Sequence, residues 1–247
     1  NMDKHNTLFE LRAIAQEPFA TIALVSQQGN LIPAAILPYH FIDFEKRVEA
    51  HKEAALFLDF IKHLSTTFST IELKMPIQFT DARPFTWLGF KVVQHYTYLI
   101  DLQNASYVQS SPFRFETLSF NLENLALLKA YFDEQNLVLA TLQDMVQLAS
   151  LLPYQISMQV LYNQDQIGFV HFYCTKQQDK TLYLLAGLSP LHAKNKDFAI
   201  QNVNQLIQHA RTNYLKIDLG IGDSYDEMLF ANNWQVQGVP YFVVKNK

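Results

Sequence analysis

Apolar and polar positions along the chain switch between alternation and helical spacing, and the switches mark out elements in order. Residues 20–26 (ATIALVS) and 31–37 (LIPAAIL) are apolar runs containing β-branched residues on either side of the turn-forming QQGN, which predicts an antiparallel hairpin. Residues 52–68 place Ala55, Phe57, Leu58, Ile61, Leu64 and Phe68 at helical spacing, and 70–75 (TIELKM) return to alternation. A helix therefore feeds a strand. A loop around Pro84 and a strand from about Phe90 to Leu102 follow.

From 103 to 155 the pattern is helical. It predicts one helix over 121–136, with Asn121 as N-cap, and another over 141–152, opened by Thr141 and Asp144. A second hairpin is expected where 156–162 and 167–174 flank NQDQ, then a strand at 181–188, a helix at 197–211, and strands at 214–219 and 239–245.

The order hairpin, helix, strand, aromatic-rich loop and strand thus occurs twice. Ile61 to Ile71 has the spacing of Ile207 to Ile217, and Trp87 or Phe90 ahead of Tyr96 corresponds to Trp234 ahead of Tyr241. We read two copies of one α/β unit, 1–105 and 106–247. The absence of a Pro/Gly/Ser linker near 103–110 predicts copies that pack closely.

Composition narrows the class. With 49% apolar and 17% charged residues, 19 Phe, 12 Tyr and 2 Trp, the chain is globular rather than disordered. A formal net charge of −4 without a dense Lys/Arg run lacks the footprint of a general nucleic-acid binder. The single cysteine, Cys174, excludes an internal disulfide and a multi-cysteine zinc site, and an inert thiol is expected. No apolar run approaches the roughly 20 residues of a membrane span, and no leader pattern opens the sequence, so a cytoplasmic protein is expected. The eight histidines form no His-x-x-x-His or His-x-His pair with carboxylate support, so no metal site is expected. The absence of a Gly-x-Ser-x-Gly elbow removes the standard α/β-hydrolase.

Few residues stand out as chemistry. Asp218 ends a probable central strand in alternation with Ile217, as a functional carboxylate or as a ligand of the turn that follows. That turn, LGIGDS (219–224), carries a Gly-x-Gly that reads as a tight turn more readily than as a phosphate loop. His171 shares a strand face with Phe169 and Tyr173; it is a general base if that face opens on a cleft and a core or surface histidine otherwise. Of the aromatics at 85–98, Phe90 and Tyr96 are read as packing, while Trp87 and Tyr98 are open to packing or to a substrate groove.

Two stretches resemble a known family. PFTWLGFKVVQHYTYLIDL (84–102) and QIGFVHFY…TLYLLAGLSP…LIQHARTNYLKIDLGIG are similar to the tandem GNAT-fold group that includes Fem-type peptidyltransferases and acetyltransferase-like proteins, over residues 20–102 and 141–247. The resemblance implies an α/β (α+β) fold of two tandem GNAT-like units, each a mixed, mostly antiparallel sheet flanked by helices. It implies an N-acyltransferase that moves an acyl or aminoacyl group from acetyl-CoA or another acyl-CoA to a small-molecule or peptide amine. The donor arm would lie against Leu185, Ala186, Gly187 and Leu188, and its phosphates at Lys194, Asn195 and Lys196. Asp218 or His171 would accept the amine's proton, and Tyr225 is the one candidate for the acid.

The sequence also departs from that group. Its pyrophosphate turn, Gln/Arg-x-x-Gly-x-Gly/Ala at a helix start, corresponds to LSPLHAKNKDFAI (188–200), which has no glycine and places Asp197 as N-cap. The usual tyrosine acid is replaced by Phe230, which cannot donate a proton. Only Arg114 is basic across 103–120, which disfavours aminoacyl-tRNA as donor. These departures sustain a second reading, a catalytically inactive GNAT-like scaffold that binds a ligand or a protein.

Overall fold

The computed structural model describes residues 4–12, 18–27, 30–32, 39, 42–44, 50–106, 113–134, 146, 155–176, 180–185, 196–220, 222 and 225–246. The expected helix at 141–152 lies outside them apart from position 146. The chain forms two compact units, Asn1–His95 with Pro240–Lys247, and Tyr96–Val239.

The first unit contains β1 (Lys4–Arg12), β2 (Pro18–Gln27), β3 (Asn30–Ile32), β4 (Ile42–Phe44), α1 (Ala50–Thr67), β5 (Thr70–Lys74) and α2 (Arg83–Trp87). It also holds the start of β6 (Lys91–Asp101) and the end of β12 (Val236–Lys245). β2 pairs antiparallel with β1, β3 and β4, so the predicted hairpin is present as β2–β3 and is preceded by a strand that the pattern did not announce. β3 runs parallel to β5 through Asn30↔Thr70 and Leu31↔Ile71, and β5 pairs antiparallel with β12 from Glu72↔Lys245 to Lys74↔Val243.

The apolar stripe of α1, Phe57, Phe60, Ile61 and Leu64, covers Ile71, Leu73, Phe85, Phe90 and Val244. Each such side chain contributes about 1.5–3 kcal/mol on burial. The loop expected around Pro84 is instead the short helix α2, with the proline in its first turn, where a missing N–H costs nothing. Gly89 follows at φ +79, and the reversal lets the Phe90 N–H donate to the Phe85 carbonyl at 3.0 Å. Phe90 is buried as expected, whereas Trp87 is 64% exposed.

The second unit contains the rest of β6, β7 (Arg114–Ser119), α3 (Leu122–Leu127), α4 (Lys129–Glu134), β8 (Gln155–Asn163) and β9 (Gln166–Lys176). It continues through β10 (Thr181–Leu184), α5 (Lys196–Ala210), β11 (Lys216–Asp218), α6 (Tyr225–Ala231) and the start of β12. Its sheet runs β7, β8, β9, β10, β11, β6, antiparallel throughout except between β10 and β11.

Asn121 caps α3, its side-chain oxygen accepting the Asn124 N–H at 2.8 Å, and the helical stretch is divided into α3 and α4. β7 is a strand where the spacing predicted helix. Cross-strand contacts with β8 override local preference there. The Arg114 guanidinium stands 3.8 Å over the Tyr162 ring, and the Tyr162 hydroxyl donates to Glu116 at 3.1 Å. On β6 both faces are buried toward the strand's end, through Thr97 and Leu99 on one side and Ile100 on the other, whereas Tyr96, expected to pack, is 47% exposed.

α5 lays Ala199, Val203, Leu206, Ile207 and Ala210 on Leu161, Phe169, Leu182, Leu184 and Ile217. Ile207 and Ile217 thus share one core as Ile61 and Ile71 share the other. Each unit is completed by a strand from the opposite half of the sequence, β12 beside β5 and β6 beside β11. Among the described residues no helix is long and apolar enough to cross a membrane.

Candidate functional site: the ends of two parallel strands

Parallel neighbours need a crossover, and α5 supplies it between β10 and β11. The two strands stay in register over Thr181↔Lys216, Leu182↔Ile217 and Tyr183↔Asp218. Just past that point each strand stays bonded along its other edge. Leu184 opposes Tyr173 on β9, and the Leu185 N–H donates to the Phe172 carbonyl at 2.8 Å. On the other arm the Leu219 N–H donates to the Tyr98 carbonyl of β6 at 2.9 Å. Among the described residues the parallel register ends at the Tyr183/Asp218 pair, at the C-terminal end of β11 and one residue short of that of β10.

Asp218 is 0% exposed. Burial of a carboxylate requires compensating donors. Its Oδ1 accepts the Thr97 hydroxyl at 2.6 Å and the Gly220 N–H at 2.8 Å. Gly220 adopts φ +64, and a Cβ placed on Gly222 would lie 2.2 Å from the Tyr96 carbonyl oxygen. The two glycines of LGIGDS therefore serve a left-handed turn and a close backbone approach.

Strand alternation separates the expected acid–base residues. Ile217 and Leu219 face α5, so Asp218 faces away from it, together with its register partner Tyr183. His171 lies between Phe169 and Tyr173 on the α5 side, its ring edge-on to Phe169 with centroids 4.7 Å apart. Asp218 and His171 thus occupy opposite faces of the sheet. His171 is 1% exposed, and burial pushes its pKa down to about 3, with the Asn202 side chain opposing the shift. Such an imidazole stays neutral and is a weak base. Beside it Gln159 is its register partner on β8, and the Asn202 amide donates to the Gln159 carbonyl at 3.3 Å. Nδ1 of His171, Oε1 of Gln159 and Oδ1 of Asn202 are buried without a hydrogen-bond partner.

Tyr225 opens α6. Phe230 is buried edge-on against Trp234, centroids 5.2 Å apart, and the Trp234 indole donates to Asn204 Oδ1 of α5 at 2.8 Å. Leu185 is buried on the β10 arm, and Lys196 begins α5. Ala186, Gly187, Leu188, Lys194 and Asn195 lie outside the described residues. Cys174 is buried, and among the described residues no cluster of His, Cys, Asp or Glu could hold a metal ion. Sequence reasoning missed Thr97, although a threonine between two tyrosines in a partly buried strand signals a hydroxyl that needs a partner.

No protein-family model matches the sequence, and no curated protein matches it. Solved structures do share the fold. The chain is similar to L-PGS from Bacillus licheniformis at 10% identity and a TM-score of 0.62, covering 98% of this chain and 83% of that one. It is similar to the C-terminal DUF2156 domain of a predicted lysylphosphatidylglycerol synthetase from Agrobacterium fabrum, at 13% identity and a TM-score of 0.55, over 99% of this chain and 84% of that one. A tandem GNAT protein from the clavulanic acid biosynthesis pathway matches at 8% identity and a TM-score of 0.54, over 98% and 82%. At these identities the likeness establishes a GNAT-like fold, a mixed α/β architecture with a mostly antiparallel sheet flanked by helices.

Proposed function

We propose that the chain is a tandem of two GNAT-like copies, 1–105 and 106–247, related to the Fem-type group, and that it is an N-acyltransferase whose acyl donor lies at a fork that opens between β10 and β11 beyond their last registered pair. The observation that carries this reading is where the parallel register ends: β10 and β11 are paired as far as Tyr183/Asp218, and an opening beyond that pair would offer the backbone edge of β10 to a ligand. Such an edge suits the amides of a pantetheine arm, which would run along Leu185–Leu188 toward Lys194, Asn195 and Lys196, the last of which begins α5. The acyl carbonyl would sit near the crotch, and fixing an amine beside it supplies most of the rate.

Of the acid–base candidates, Asp218 bounds the fork, and the proposal assigns it the amine's proton. His171, buried on the other face, has no such role here, and Tyr225 is kept as the acid candidate by its place at the start of α6. The acceptor is a small-molecule or peptide amine. Acetyl-CoA or a longer acyl-CoA is the donor we favour; an aminoacyl donor, as the name of the lysylphosphatidylglycerol synthetase neighbour suggests, is the variant of the same chemistry.

A second reading has its own support. Phe230, where acetyltransferases of this fold carry a tyrosine acid, is committed to packing on Trp234, which favours a scaffold that binds without turning over. Thermal melts with acetyl-CoA, longer acyl-CoAs and aminoacyl-tRNA separate the two. A donor at 100 times its Kd adds about 2.7 kcal/mol, which corresponds to a rise of about 5–10 °C at this size. No rise with any of them sinks the transferase reading.

A further inference from the structure

We infer that His171, Gln159 and Asn202 form an internal site for one water molecule, which accepts the Nδ1–H of His171, donates to Oε1 of Gln159 and Oδ1 of Asn202, and so ties α5 to β8 and β9. The three residues are 1%, 3% and 0% exposed, and none of these three atoms has a hydrogen-bond partner within the protein. Buried polar atoms left unpaired are costly and rare.

Three elements bring them together. Gln159 on β8 and His171 on β9 are antiparallel register partners, which share one face with Cβ atoms about 4.5–5.5 Å apart. Asn202 comes from α5, which packs on that face, and its amide donates to the Gln159 carbonyl at 3.3 Å. That bond fixes the amide's orientation, since exchanging its nitrogen and oxygen would set oxygen against oxygen. Oδ1 is therefore the end left unpaired. The Asn202 side chain stands near enough to the ring to resist its loss of a proton, yet no direct bond closes between Oδ1 and Nδ1.

Counting hydrogens selects both the ligand and the tautomer. A buried water typically makes about three bonds to otherwise unpaired polar groups, and it offers two hydrogens. With the ring proton on Nδ1, the water accepts one bond and donates two, and all three atoms are paired. With the proton on Nε2, three acceptors compete for two hydrogens. The cluster is uncharged, because burial keeps His171 neutral, so nothing in it offsets the cost of burying an ammonium or amine cation. Oε1 of Gln201 is also unpaired, but it belongs to the preceding position of α5, about 100° round the helix, and takes no part. The site lies on the α5 face of the sheet, away from Asp218, and owes nothing to the acyltransferase reading.

The test is nitrogen-15 NMR of the assigned His171 ring in the full chain at pH 7, with cross-relaxation from water, together with crystal structures grown with and without ammonium salts. The expected result is a hydrogen bonded to Nδ1, a cross-peak between it and a long-lived water, and density for one water within hydrogen-bonding reach of all three atoms in both crystals. A hydrogen on Nε2 overturns the inference. So does a direct bond from His171 to Asn202 or Gln159 with no density between them, and so does density seen only with ammonium, which would mean a cation. If exchange broadens the ring signals beyond detection, the two crystals decide by the same outcomes.

Discussion

Replacing His171 by phenylalanine should flatten the response of the second unit to acid. The imidazole has a pKa of 6.5 in an unfolded chain and about 3 when folded, because burial disfavours its charged form. Between those values the unfolded state binds a proton that the folded state refuses, so stability falls as pH drops from about 6.5 toward 3 and is insensitive to this group outside that window. At pH 5 the unfolded imidazole is about 1.5 units below its pKa and the folded one is still neutral, which costs the folded state about 2 kcal/mol. Phenylalanine keeps the edge-on contact with Phe169 and has nothing to protonate. Urea unfolding of both proteins at pH 7 and pH 5 measures the difference. On acidification the wild-type midpoint should fall by about 1 M more than that of His171→Phe, given m-values of about 1–3 kcal/mol/M. Other titrating groups are common to both proteins and cancel. Equal pH dependence in the two would refute the account of a buried neutral histidine.

Further substitutions probe the cores. Trp234→Phe removes the donor to Asn204 Oδ1 and strands a buried acceptor, so a loss of about 1–3 kcal/mol is expected by thermal melting. Adding Asn204→Leu should recover part of it, since two apolar partners leave nothing unpaired. Ile61→Ala and Ile207→Ala should each cost about 2–5 kcal/mol, and amide exchange should quicken mainly in the unit that carries the change.

The sequence was most readable where periodicity and turn chemistry agree. The β8–β9 hairpin is visible because two apolar runs flank NQDQ, and Gln164 at φ +57 takes the turn conformation that such a segment supplies. α5 is visible because Val203, Leu206, Ile207 and Ala210 repeat at helical spacing. β7 was hidden because its strand character comes from β8, through contacts such as Arg114 with Tyr162, and not from its own residues. α2 was hidden because a proline marks a loop and a first helical turn equally well.

The candidate site divides along the same line. Asp218 is identifiable as a carboxylate at a strand end, but its tie to Thr97 spans more than a hundred residues and leaves no local pattern. Alternation tells which face of a strand is buried and says nothing of the strand that lies beside it. The placement of β6 beside β11 and of β12 beside β5 could therefore not be read from pattern.

That placement governs how the protein is made. β5 is complete by Lys74, yet the strand it pairs with ends at Lys245, and the ion pair of Glu72 with Lys245 and the bond from the Ile71 N–H to Asn246 join residues more than 170 positions apart. During synthesis from the N-terminus, the first unit exposes an unpaired edge of β5 until residues 240–247 have emerged, after nearly all of the second unit exists. The half that is translated first finishes last, and the closing step carries the loop-closure entropy of almost the whole intervening chain.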